Sequence, residues 1–133
     1  MFVDASALVA ILCREQGFER VADCLRQAPH RLTSALALFE GILAVARIQS
    51  VQPEAAEGIV NGFRKTIDMT VVSLGIAEVR IALAAHTRYG KGRHPARLNL
   101  GDCFAYACAQ VHGVPLLYVG DDFPQTDIRS ALG

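Results

Sequence analysis

The sequence lacks the features that mark several protein classes. No uninterrupted apolar run approaches the ~18–20 residues that a membrane-spanning helix needs, so no membrane segment is expected. The opening residues, MFVDAS, show no basic stretch followed by an apolar one. No secretory signal is read, and a cytoplasmic location is expected. Cysteines number four and form no C-x-x-C pair. Cys13, Cys24, Cys103 and Cys108 fall in helical, apolar contexts and are expected as buried reduced thiols, not as a disulfide framework. His30, His86, His94 and His112 are scattered, and none pairs with a cysteine at a zinc spacing. No repeat, low-complexity tract or linker divides the chain, so residues 1–133 are expected to form one domain.

What is present is a core. Hydrophobic residues make up 52% of the 133, which excludes intrinsic disorder. A chain of this length buries roughly two-thirds of its unfolded surface. MFV reads as a short buried strand, followed by a helix from about Ala5 to Arg14. Phe18, Val21, Ala22 and Leu25 recur at helical spacing. Thr33 or Ser34 can cap a long helix through Glu40, and Pro53 opens a helix marked by Ile59, Val60, Phe63 and Ile67. MTVVSL is β-branched and apolar, which predicts a buried strand. Ile76, Val79, Leu83 and Ala84 mark a helix that YGKGRHP ends; Gly101 to about His112 is helical; VPLLYVG is a strand and DDFPQTD a loop. Short apolar strands alternating with helices predict an α/β sandwich around a mostly parallel sheet.

The formal net charge is zero, but the charge is unevenly placed. Arg80, Arg88, Lys91, Arg93 and Arg97 lie between Val79 and Gly101 with no acidic residue among them. Such a segment is either a solvated helix face or a rim that holds phosphates. The acids are more informative. In open parallel sheets, sites form outside the carboxyl ends of the strands. Asp4 follows MFV directly, and Asp121 and Asp122 directly follow LLYVG. Asp102 opens the GDCFAYACA helix, where the helix dipole favours its charge.

Each of these has a local explanation: Asp4 and Asp102 as helix caps, Asp121 and Asp122 as turn residues. Glu40 has none. In the helix ALALFEGILAVARI its i±3 and i±4 neighbours are Leu36, Ala37, Leu43 and Ala44, so it is expected to be partly buried. Either a buried arginine or a shared cation must compensate it. Several carboxylates brought together repel and take up protons unless a cation intervenes. An all-oxygen set suits Mg²⁺ or Mn²⁺ rather than zinc or copper. A divalent ion so held activates water and stabilises a phosphodiester transition state, which makes a metal-dependent nuclease a reading of the residues themselves.

FVDASALVAIL, TSALALFEGILAV, GKGRHPARLNLGDCFAYACA and LLYVGDDFPQTDI together resemble the PIN-domain ribonucleases, in order along essentially the whole chain. The nearest resemblance is to the VapC-type toxins of type II toxin–antitoxin systems. It implies a PIN-like α/β/α sandwich and an Mg²⁺- or Mn²⁺-dependent endoribonuclease that leaves a 5′-phosphate and a 3′-hydroxyl. It also implies a VapB-type antitoxin partner and a homodimer. Asp4 and Asp102 match metal ligands, Ser6 the hydroxyl residue that supports the first acid, and Glu40 the second acid. The fourth acid matches Asp121, with Asp122 as the alternative. Arg88, Lys91, Arg93 and Arg97 are the candidates for holding RNA. Two rivals are a phosphoacceptor domain, which would want a lysine after a late strand where Lys91 is the last one here, and a PIN-like scaffold that binds RNA without cutting it. The four acidic positions argue against the scaffold.

Overall fold

The protein is described from a computed structural model covering residues 1–133. Strand β1 (Phe2–Val3) leads into helices α1 (Ala5–Leu12) and α2 (Phe18–Gln27). Strand β2 (Leu32–Ser34) leads into α3 (Ala35–Gln49) and α4 (Pro53–Thr66), and β3 (Thr70–Val72) into α5 (Ile76–Tyr89) and α6 (Leu100–His112). Strand β4 (Leu116–Leu117) follows, then a 3-10 turn at Phe123–Gln125. The sheet runs β3-β2-β1-β4 and every pairing is parallel. The expected α/β architecture is the one observed.

That order contains the feature that matters for function. From β1 the chain steps outward to β2 and β3, then returns to lay β4 on the other side of β1. The direction of winding reverses between β1 and β4, and open parallel sheets leave a crevice at such a reversal.

Side chains alternate across the sheet, as strand geometry requires. Phe2 and Leu116 are buried with Tyr89, Leu98 and the inner residues of α6. Val3 and Leu117 are buried on Leu8, Val21, Leu25 and Met69. A third cluster, with Val9, Val45, Ala56 and Val60, locks α1, α3 and α4 together. No helix is long and apolar enough to cross a membrane.

Several local expectations need correction. The last strand is confined to Leu116–Leu117, because the residues after it turn away through Gly120, whose φ is +121°. MTVVSL yields only Thr70–Val72, and Thr70 and Val71 are exposed because β3 is the outer strand of the sheet. Strand β2 was not anticipated: Ser34 ends it and also caps α3 by accepting from the Ala37 N–H at 3.1 Å. Of the cysteines, Cys103 and Cys108 are buried, whereas Cys13, just past the end of α1, and Cys24, on α2, are half-exposed. The open flank of β4 is covered by the C-terminal segment, where the Leu116 N–H donates to the Arg129 carbonyl (2.9 Å) and the Ala131 N–H to the Leu116 carbonyl (2.8 Å). That pairing removes a bare sheet edge.

Candidate active site

Asp4 is the residue at which β1 becomes α1, so it stands at the β1–β4 reversal. It is 5% exposed. It does cap α1, accepting from the Ser6 N–H at 3.1 Å, and also accepts the Ser6 hydroxyl at 2.6 Å. The same hydroxyl accepts the Val119 N–H at 3.0 Å, and the Asp4 N–H donates to the Leu117 carbonyl. One serine oxygen therefore joins the ends of β1 and β4. Burial pushes the Asp4 carboxyl above its ordinary range, against the opposing pull of the bonds from Ser6.

Asp102 reaches the same place from α6. The cap of this helix is Asn99, not Asp102: the Asn99 side chain accepts the Asp102 N–H (2.9 Å) and the Asp102 Oδ2 accepts the Asn99 N–H (3.1 Å). This reciprocal pair fixes the rotamer of the acid. Burial first, and then repulsion from Asp4 and Asp122, raise its pKa to about 6, although the Asn99 N–H pulls it down.

Glu40 arrives from the middle of α3 and is half-buried. Desolvation, then the charges of Asp4 and Asp102, push it up to about 7. No arginine neutralises it. The two ion pairs of the protein are Arg26–Asp23 and Arg88–Asp127, both elsewhere. The buried arginine pair that could have explained Glu40 is therefore excluded, and three mutually repelling carboxylates remain.

A pocket of about 520 Å³ collects Asp4, Ser6, Glu40 and Asp102. Sequence reasoning missed three of its polar walls: Glu15, Arg47 and Asn99. Arg47 follows Glu40 by seven residues, about two helical turns, so the helical period could have placed it on the same face. Asn99 was signalled by its position three residues before Asp102, the spacing of a capping pair. Glu15, in the turn after α1, carried no sequence signal.

Asp121 and Asp122 are exposed in the loop after β4 and do not line the pocket, though the charge of Asp122 is felt at Asp102. Lys91, Arg93 and Arg97 are exposed in the connection from α5 to α6. Lys91 lines a neighbouring apolar cleft that shares Asn99 with the acidic pocket. The Arg88 head is engaged with the Asp127 carboxylate (3.4 Å) and the Tyr89 hydroxyl (2.7 Å).

The donors at the pocket are hard carboxylate oxygens, without thiolate or imidazole, and none of them is in an ion pair. This chemistry fits a hard divalent cation. The side chains surround the pocket without already converging into a three-ligand cage.

A parallel sheet with this winding reversal, and acids delivered to it by β1, α3 and α6, defines the class. The PIN-domain profile matches residues 1–129, and the chain belongs to the PIN-domain family. Within it, the chain falls among the VapC ribonucleases. It is 41% identical to a VapC ribonuclease of Rhizobium meliloti over 96% of this chain and 98% of that protein. It is 40% identical to ribonuclease VapC42 of Mycobacterium tuberculosis over 98% of each.

Proposed function

We propose that the protein is a divalent-metal-dependent endoribonuclease, the toxin of a type II toxin–antitoxin pair, that hydrolyses RNA phosphodiester bonds. The observation that carries this reading is the trio Asp4, Glu40 and Asp102, whose carboxyls are all raised and none of which has a cationic partner. Ribonuclease activity in relatives aligned over nearly the whole chain supports it.

Asp4 and Asp102 would hold Mg²⁺ or Mn²⁺, with Glu40 and either Asp121 or Asp122 completing the set through water. Bound there, the cation would activate water and neutralise charge growing on the phosphodiester. The residues of the chain do the rest. Ser6 keeps the Asp4 carboxylate aimed, and Asn99 does the same for Asp102. Glu40, on a separate helix, accepts a hydrogen bond from the attacking water and orients it in line with phosphorus. Arg47 is the one cation on the pocket wall, and it meets a phosphate oxygen of the RNA. Lys91, Arg93 and Arg97 hold the flanking strand, with Arg88 contributing least because its head is already engaged.

A VapB-type antitoxin is the proposed partner, placing a basic or aromatic side chain near the acidic pocket. The proposed homodimer would cover Ile76, Leu83 and Leu100, which are 67%, 65% and 66% exposed.

Purified protein freed of antitoxin is expected to cut RNA when Mn²⁺ or Mg²⁺ is supplied and to stop when EDTA is added. Asp4→Asn and Asp102→Asn should each lower the rate at least roughly a thousandfold, the equivalent of about 4 kcal/mol of transition-state stabilisation. Circular dichroism should show both variants folded. RNA binding without cleavage under any divalent ion would establish the scaffold reading instead.

A further inference from the structure

The residue just before Asp102 is a buried glycine. Gly101 lies in the first turn of α6, and its φ is not in the left-handed region. Conformational freedom therefore does not explain a glycine here, and glycine weakens a helix relative to alanine. Space explains it. A Cβ on Gly101 would collide with the Cδ and both carboxylate oxygens of Glu40. The glycines of α4 offer the contrast: Gly58 and Gly62 also interrupt a helix, yet nothing lies within 4 Å of a Cβ at either.

We propose that Gly101 is a positioning residue for Glu40: the missing side chain leaves the slot on α6 that admits the Glu40 carboxylate to the pocket beside Asp102. The proposal rests on the role given to Glu40 under the nuclease reading. Glu40 comes from α3 and its carboxylate is the far end of a flexible side chain. A methyl group at residue 101 would thus turn the carboxylate aside before it would distort the helix. Asp102 and Asp4 hold their places by bonds to Asn99 and Ser6. Glu40, with no protein hydrogen bond to its carboxylate, is held at this end by shape alone.

The test is Gly101→Ala in three backgrounds: the parent, Glu40→Asp and Glu40→Ala. In the parent background RNA cleavage with Mn²⁺ should fall about 10–100-fold, the usual loss when a supporting group around a metal site is disturbed. Glu40→Asp shortens the acid by one methylene and draws its carboxylate back from the methyl group. Adding Gly101→Ala to it should then cost no more than about twofold, the margin within which independent effects are judged equal. Equal fold-losses in the parent and Glu40→Asp backgrounds overturn the proposal, as does a Gly101→Ala protein that cuts like the parent.

Thermal melting of the metal-free protein is the second readout. Gly101→Ala should raise the melting temperature more in Glu40→Ala than in the parent, because the collision has gone. Equal changes in both overturn the proposal, and so does a Gly101→Ala protein that fails to fold even in the Glu40→Ala background. If the parent itself cuts no RNA, the nuclease reading fails on its own terms, while the melting comparison still decides whether Gly101 makes room for Glu40.

Discussion

Two corners of this molecule hold carboxylates in opposite ways. At the outer corner, Asp127 accepts the Tyr106 hydroxyl (2.7 Å) and faces the Arg88 guanidinium (3.4 Å). Those partners, Tyr106 first, hold its carboxyl below the ordinary range. At the β1–β4 reversal, Asp4, Glu40 and Asp102 are crowded together, desolvated, and all raised. The outer corner is complete as folded. The inner one brings three carboxylates together without an ion pair, and perturbed acids in a cleft are a mark of functional sites. The contrast sets a carboxylate paired within the fold apart from the trio proposed as catalytic.

Glu40→Gln breaks the contrast most directly. It should lower cleavage by roughly 10–100-fold, while leaving the melting temperature of the metal-free protein unchanged or higher, since a repelling charge is removed. A large loss of stability would mean that Glu40 is a structural acid like Asp127.

The pH dependence sharpens the comparison next. Glu40 goes from its ordinary 4.5 to about 7 in the fold, and Asp102 from 3.8 to about 6. Between those values the folded state binds more protons than the unfolded state, so stability falls as pH rises. The metal-free protein should therefore melt lower at pH 8 than at pH 5, and saturating Mn²⁺ should flatten or reverse that slope. Asp127, shifted downward, has the opposite sign: its contribution is present above its unfolded value and is lost as the solution becomes more acidic.

The smallest effects compare two arginines. Arg47→Ala should raise KM several-fold, about 1 kcal/mol, with kcat nearly kept. Arg88→Ala should leave KM near the parent value and lower stability by less than about 1 kcal/mol, because its pair with Asp127 is largely exposed. Steady-state cleavage and urea unfolding of the two variants measure this directly.

Asp4 and Asp102 were legible in sequence because each sits where a strand or helix begins or ends, and such positions follow from local pattern. The adjacency of β1 and β4 did not follow, because the rule that sites form outside the carboxyl ends of strands says nothing about strand order. Strand β2 was not legible: three residues carry no period, and Ser34 serves both the strand and the cap of α3. The outward set of α5 escaped for a related reason. Ile76 and Leu83 recur at helical spacing, yet the stripe that α5 buries contains Ala82, Ala85 and Tyr89 instead. Periodicity reports that a helix has an apolar face, not which neighbour covers it. Gly101 was quoted within a motif, but the meaning of a missing Cβ depends on a side chain sixty-one residues earlier, Glu40, and only the packing of α3 on α6 reveals it.

The Ser6 hydroxyl, placed between Asp4 and the Val119 N–H, has a consequence in time. Asp4 cannot swing without losing its bond from the hydroxyl whose oxygen also accepts from the start of the loop after β4. The entropy of aiming this acid is therefore lost once, when the sheet assembles, and not again at each turnover. Between one RNA and the next the pocket has nothing to rebuild on that wall.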